Sequence, residues 1–356
     1  VVVCVGAGGV GKTTISASLA LALAARGGRV LVVSIDPARR LASALGLQEL
    51  PGEPHRVPPQ ELAAEGIELE GELWAMMLDP KGTFDELIGR LAPDERVREE
   101  VLSNRIYREL SSATAGSQEF TAVTKLFDLE REGGFDAIVL DTPPSRNALD
   151  FLDAPDRLRH FLEGRALRTL LRPGGFAGGL LGRGSGMVLS MLARATGVNL
   201  IGDLSTFFRS LGGILDGFNE RARGVESLLR DEATRFVIVT SPESEPAREA
   251  AFFDARLRDA GMPFGALVVN RVHETGLNGL SSERARKLLA ERLEPGLAGR
   301  LVDNLAELEV LAQRDRESVQ LLAKAIGERD PVLVPELEGE VQDLAGLARV
   351  AGHLGG

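Results

Sequence analysis

Nine residues near the amino end carry the most specific chemistry in the chain: Gly6-Ala7-Gly8-Gly9-Val10-Gly11-Lys12-Thr13-Thr14. They fit G-x-x-x-x-G-K-S/T, a loop whose glycines let main-chain N–H groups approach phosphate oxygens closely. In this pattern Gly8, Gly9, Val10, Gly11 and Thr14 supply the cradle. Lys12 brings one mobile positive charge to the β- and γ-phosphates, and the Thr13 hydroxyl is a ligand for Mg²⁺. A glycine-rich turn without the flanking elements would bind nothing. Here Val1 to Val5 reads as a buried strand and Thr13 to Ala25 as a helix free of Pro and Gly, so the anion meets a helix start.

Two aspartates extend this chemistry. Asp141 closes an apolar run, Phe135 to Leu140, and is followed by Thr142-Pro143-Pro144. A carboxylate at the end of a strand in a phosphate-loop protein is the expected second Mg²⁺ element. Asp36 follows the apolar run Arg29 to Ser34 and precedes Pro37. It reads equally as a helix N-cap with Pro at the first helical position, and as a carboxylate at the carboxyl end of a strand, where open α/β sheets bind ligands. The two readings are compatible.

The elements that must position these residues alternate in type. Further strands are predicted at Leu73 to Leu78, Phe236 to Thr240 and Gly265 to Asn270, with a short extended piece at Pro331 to Pro335. Helices are predicted at Glu245 to Ala260, Ser281 to Arg292, Arg300 to Arg314 and about Glu340 to His353. Residues 51 to 71, rich in Pro, Gly and Glu, read as a surface connection. Alternating strands and helices predict an α/β fold with a doubly wound, mostly parallel sheet. The whole of 1–356 reads as one phosphate-loop domain carrying a helical subdomain, with helical insertions at about 84–132 and 155–230.

Composition narrows the class. At 44% hydrophobic the chain can build a large core, and its formal net charge of −11 opposes nucleic acid and anionic lipid. The segment from Arg157 to Arg209 runs against this, with eight arginines and only Glu163 and Asp203 opposing them. Within it, Gly174 to Leu192 is apolar and glycine-rich. An amphipathic stripe from Leu204 through Phe207, Phe208 and Leu211 to Val225 and Leu229 follows at helical spacing. The single cysteine, Cys4, allows no disulfide within the chain and no thiolate cluster for a soft metal, which fits a cytoplasmic setting. No apolar run approaches the ~18 residues of a membrane span.

Four stretches together resemble the ArsA/GET ATPases, the arsenite-pump and tail-anchored-protein-targeting branch of the deviant phosphate-loop class that also holds MinD and ParA. They are Gly6 to Thr14, Ser34 to Gly46, Phe135 to Leu152 and Val268 to Val272. Pro331 to Gly339 is similar to the family's loop around the base. The resemblance implies a Mg²⁺-dependent ATPase whose ATP/ADP state opens and closes a homodimer, and the glycine-rich apolar stretch with Met187, Met191, Phe207 and Phe208 points to an apolar protein client as a further partner. It implies that Asp36 orients the attacking water, that Asp141 acts at the metal, and that Asn270 and Pro335 sit at adenine.

This sequence departs from the family at three places. Ala7 stands where the class has a second lysine, which in relatives crosses to the neighbouring nucleotide; Arg39, Arg40 and Arg146 are candidate substitutes. Arg146 and Asn147 replace the usual Gly and His after the second aspartate. The paired cysteines that bind zinc or arsenite are missing. Two further readings remain at this stage. One is a ParA/MinD-like organiser on DNA or membrane, supported by the arginine-rich segment. The other is a regulatory subunit with weak turnover that pairs with a paralogue, motivated by Ala7.

Overall fold

The computed structural model describes residues 1–35, 40–104, 107, 117–142, 214–277, 279–327, 330–339 and 341–355. The chain divides into two compact units. The first comprises 1–77, 134–148 and 230–356. The second comprises 78–133 and 149–229.

The first unit is built on one sheet, which among the described residues has eight strands. They are β1 (Val2–Val5), β2 (Arg29–Ser34), β3 (His55–Arg56), β4 (Glu72–Met77), β5 (Ala137–Asp141), β6 (Arg235–Thr240), β7 (Phe264–Val272) and β8 (Val332–Pro335). Their spatial order is β3-β4-β2-β5-β1-β6-β7-β8. Every pairing is parallel except that of β3 with β4. Parallel central strands are covered on both faces and read as continuous apolar runs. The sequences VVCV, RVLVVS and RFVIVT are of that kind, and their residues are almost wholly buried.

β1 lies centrally, between β5 and β6. The chain therefore leaves β1 toward one half of the sheet and later returns to build the other half. Such a reversal leaves a crevice at the carboxyl ends of the strands, the usual place for a ligand in open α/β sheets.

Helix α1 (Lys12–Ala25) leaves the loop after β1 and packs on the sheet. Its sequence is small and apolar all round because it is covered twice, as a helix without a polar face must be. The second cover is α11 (Leu344–Leu354), whose Leu344, Leu347 and Val350 are buried in the same core as Ile15, Leu21 and Ala24. Burying each of these three side chains contributes about 1.5–3 kcal/mol. The Asp343 side chain caps α11 by accepting from the Gly346 N–H at 2.7 Å.

The other helices of this unit are α2 (Arg40–Ala44), α3 (Pro59–Ala64), α8 (Ser244–Asp259), α9 (Ser282–Ala290) and α10 (Pro295–Ile326). Two sequence expectations are corrected here. Residues 51 to 71 are not only a surface connection: β3 pairs at the sheet edge, and α3 buries Leu62. The helix expected over Arg300 to Arg314 is more than twice that length. Pro295 occupies its first turn, where a missing N–H costs nothing.

The second unit is helical among its described residues: α4 (Pro80–Leu91), α5 (Glu95–Ser103), α6 (Ser117–Glu132) and α7 (Leu215–Arg230), which passes into the first unit at its last residue. Pro93 separates α4 from α5, and Asp94 caps the latter by accepting from Val97 N–H at 2.8 Å. Leu87, Ile88, Val101, Val123, Leu126, Ala222, Val225 and Leu229 are buried. The far end of the predicted amphipathic stripe is thus core. Its beginning, with Phe207, Phe208 and the glycine-rich stretch, lies outside the described residues.

Candidate functional site

The glycine loop begins where β1 ends, and its shape is forced by its neighbours. Gly6 runs so close to β6 that a Cβ there would stand 2.0 Å from the Val239 carbonyl oxygen. Gly11 has φ +90°, a conformation L side chains rarely adopt, and a Cβ there would strike the Asn270 amide at 2.3 Å. Alanine at Gly6 would push the loop off the sheet, and alanine at Gly11 would strain the backbone and displace the Asn270 amide.

Lys12 is the first residue of α1 and only 6% exposed. Its Nζ donates to the carbonyls of Gly6 at 2.9 Å and Ala7 at 2.7 Å, so the ammonium sits inside the curl of its own loop. Ala7 itself is buried in the core.

Thr13 is next on the helix, and its hydroxyl donates to Asp141 Oδ2 at 2.8 Å. Asp141 ends β5 beside β1 and is completely buried. The same oxygen accepts from the Ser34 hydroxyl, at the end of β2, at 2.9 Å. A carboxylate removed from water needs hydrogen bonds and a nearby cation to offset its desolvation. The donor set is hard oxygen, one hydroxyl and one carboxylate, which suits Mg²⁺ and not a soft metal. Adjacent ligands in an octahedral Mg²⁺ shell stand about 2.9 Å apart, close to the Thr13–Asp141 separation. Among the described residues no cluster of three or more His, Cys, Asp or Glu is placed to hold a metal.

A cavity of about 800 Å³ opens beside these groups. Gly9, Gly11, Lys12, Thr13, Thr14, Asn270 and Pro335 line it, joined by Arg40, Thr142, Arg271 and Glu336. Its size lies within the range of small-molecule sites. Among the predicted residues, Gly8 is exposed and does not line it, and Val10 contributes a carbonyl that accepts from Asn270 Nδ2 at 2.9 Å. Asn270 is therefore tied to the phosphate loop as well as facing the cavity. Asp36 lies outside the described residues, as do Arg39, Arg146 and Asn147.

Several lining residues carry no sequence signal. Thr142 donates to the Cys4 carbonyl at 2.7 Å and so pins the end of β5 to β1. Arg271 follows Asn270 with φ +60°, a left-handed backbone unusual for a side chain of this size. It sits where the β7–β8 register shifts, Val269 facing Leu333 and Val272 facing Pro335, with one extra residue on β7. The bulge turns consecutive residues, Asn270 and Arg271, toward one cavity, which a regular strand would not do. Beyond it, His273 Nδ1 lies 2.7 Å from Asp315 Oδ2 on α10, and its Nε2 lies 3.1 Å from Glu336 Oε2. Glu336 N–H donates to the Val272 carbonyl at 3.0 Å. The imidazole thus anchors the loop after Pro335 to the body of the unit.

A family model for anion-transporting ATPases, the ArsA type, matches residues 1–289. The chain belongs to the anion-transporting ATPase family. Relatives include ATPase GET3C of Arabidopsis thaliana, 28% identical over 284 residues, which are 75% of this chain and 65% of that protein. The putative arsenical pump-driving ATPase 1 of Aquifex aeolicus is 26% identical over 281 residues, 75% of this chain and 62% of that protein. ATPase GET3 of Podospora anserina is 27% identical over 269 residues, 75% and 71% of the two chains. The first two are thus matched over less than two thirds of their own length. The anion-transporting ATPase model covers the phosphate loop, Asp141 and Asn270, and stops before α10 and β8. No helix among the described residues is long and apolar enough to cross a membrane.

Proposed function

We propose that this member of the ATPase family is a Mg²⁺-dependent ATP hydrolase. The carrying observation is the meeting of Lys12, Thr13 and buried Asp141 at one end of a nucleotide-sized cavity. Lys12 and the amides of Gly9 to Thr14 hold the phosphates, and Thr13 with Asp141 holds the metal. When bound, Mg²⁺ would supply charge neutralisation for the phosphates that these residues hold. Asp36 orients the water whose oxygen bonds to the γ-phosphorus as the bond to the ADP oxygen breaks. Asn270 and Pro335 border the base, with ADP and phosphate as products.

The rest of the reading extends from that site. Residues 1–356 act as one ATPase domain with helical insertions at about 84–132 and 155–230. The nucleotide state drives opening and closing of a homodimer, or a heterodimer with a paralogue, in the cytoplasm, and an apolar protein client is its cargo. The likeness to GET3-named ATPases and to a putative arsenical pump-driving ATPase supports this class. Cys4, fully buried and alone, argues against an arsenite-responsive form.

The direct experiment is steady-state ATP turnover with Mg²⁺ for the native chain, Lys12→Ala and Asp36→Asn. Both variants are expected to lose about 10²–10³-fold in kcat, the scale of removing one group that acts in the transition state. Native-like turnover by Asp36→Asn would remove it from the water-positioning role, and native-like turnover by both would remove the hydrolase reading.

A further inference from the structure

Among the described residues Arg271 is the only one other than glycine with a positive φ, +60°. A side chain in that region costs free energy that glycine does not, and such strain persists where the surroundings impose it, commonly at ligand sites. The register shift between β7 and β8 imposes it here. The shift requires a residue that turns, not a cation. Glycine would turn with less strain, so the backbone accounts for the bulge and leaves the guanidinium unexplained.

That guanidinium has no hydrogen bond or ion pair among the described residues. Other arginines of the same unit are engaged: Arg29 with Glu72, Arg258 with Asp254 and Arg286 with Asp303. Glu336 lines the same cavity as Arg271, but its carboxylate lies 3.1 Å from His273 Nε2. Register sets where in the cavity Arg271 stands. Val272 faces Pro335, so Arg271 is one residue short of that level. Asn270, one residue earlier still, is tied back to Val10 of the phosphate loop. Pro335 and Leu337, both partly buried, line the cavity beside it. An apolar wall with one open cation suits a flat aromatic ring. A guanidinium is planar, weakly hydrated and stacks on aromatic faces. The chain makes this contact elsewhere: the Arg29 guanidinium lies over Trp74, 4.8 Å from the ring centroid.

We propose that Arg271 is an affinity-determining residue of the nucleotide site, its guanidinium stacking on the face of the purine. The inference rests on the nucleotide reading of the cavity. Stacking grips any base, since each has a π-face. A guanidinium placed edge-on would instead favour guanine, whose O6 and N7 accept a bidentate pair. A guanidinium placed on the phosphates would add to the charge of Lys12 and be indifferent to the base. The three placements therefore give different patterns of ligand affinity.

The test is titration calorimetry of the full chain with Mg²⁺, comparing native and Arg271→Gly. The probes are ADP, GDP and inorganic tripolyphosphate, the last measured by its displacement of ADP. The variant is expected to bind ADP and GDP each roughly tenfold more weakly, within the range of one cation–aromatic contact. The ratio of the two affinities and the affinity for tripolyphosphate should stay within about twofold of native. Without nucleotide, Arg271→Gly should unfold at a temperature no lower than native, because glycine relieves the strain. Native-like ADP binding by the variant overturns the inference. So does an equal loss for tripolyphosphate, which would move the guanidinium to the phosphates, or a shifted ADP-to-GDP ratio, which would turn it edge-on. A lower unfolding temperature would make Arg271 a structural residue and overturn it too. A native chain that binds neither nucleotide is a different failure, that of the nucleotide reading itself, and the native titration alone reveals it.

Discussion

At the phosphate-loop end of the cavity, side chains are buried and each is fixed by neighbours: Lys12 by two carbonyls, Asp141 by two hydroxyls. At the β8 end the groups are held differently. A one-residue bulge presents Asn270 and Arg271, and an imidazole between two carboxylates holds the loop that follows Pro335. His273 is half-buried and Glu336 largely exposed. The first end is rigid because charge must be stabilised there without reorganisation. The second is an adjustable wall, held by contacts that water screens. The difference teaches that chemistry and affinity in this pocket are separable by mutation.

The sharpest break of that comparison is Asp141→Asn. Loss of the carboxylate charge at the proposed metal site is expected to lower kcat about 10²-fold with the fold retained, since the amide keeps the shape. An equal loss of activity and of thermal stability would instead make Asp141 a structural residue. A smaller effect is expected at the other end. His273→Ala frees Glu336 from its anchor and should raise KM for ATP about two- to fivefold while kcat stays near native, the signature of lost uniform binding. A fall in kcat as large as that of Asp141→Asn would erase the distinction between the two ends.

The smallest effect concerns Cys4, in β1 directly before the loop. Burial pushes its thiol up from the ordinary 9.0 to about 12. The folded state therefore disfavours the thiolate, so its contribution to stability is complete below pH 9 and declines between pH 9 and 12. Thiol reagents should label Cys4 only at the rate of unfolding, with stability falling on the alkaline side. Fast labelling of native protein at pH 8 would show β1 to be open, and with it the rigid end of the pocket.

How much was legible in the sequence follows the same division. The phosphate end was readable because its chemistry demands fixed residue types at fixed spacing: Gly6 to Thr14, then an aspartate closing an apolar strand. The alternation of buried runs with helices sufficed for the sheet class. The β8 end was not readable, since a bulge and a left-handed Arg271 are set by strand register and leave no pattern in composition. The edge strand β3 has only two residues, too few to alternate, and was hidden in a stretch rich in Pro and Gly. The full reach of α10 was obscured by Gly296 and Gly299 in its first turns. With the helix cut short, Asp315 had no visible connection to His273. Ser34 looked like the end of a strand, and only the fold brings its hydroxyl to Asp141.

The central claim is that Lys12, Thr13 and Asp141 together grip a metal-bound polyphosphate. Titration calorimetry with ADP tests it most directly, run with Mg²⁺ and with chelator on the native chain and on Asp141→Asn. The account predicts one site per chain, with affinity that falls at least about tenfold when Mg²⁺ is removed, a change of about 1.4 kcal/mol. In Asp141→Asn the two titrations should nearly coincide. No heat with the native chain, or the same Mg²⁺ dependence in the variant, would contradict it.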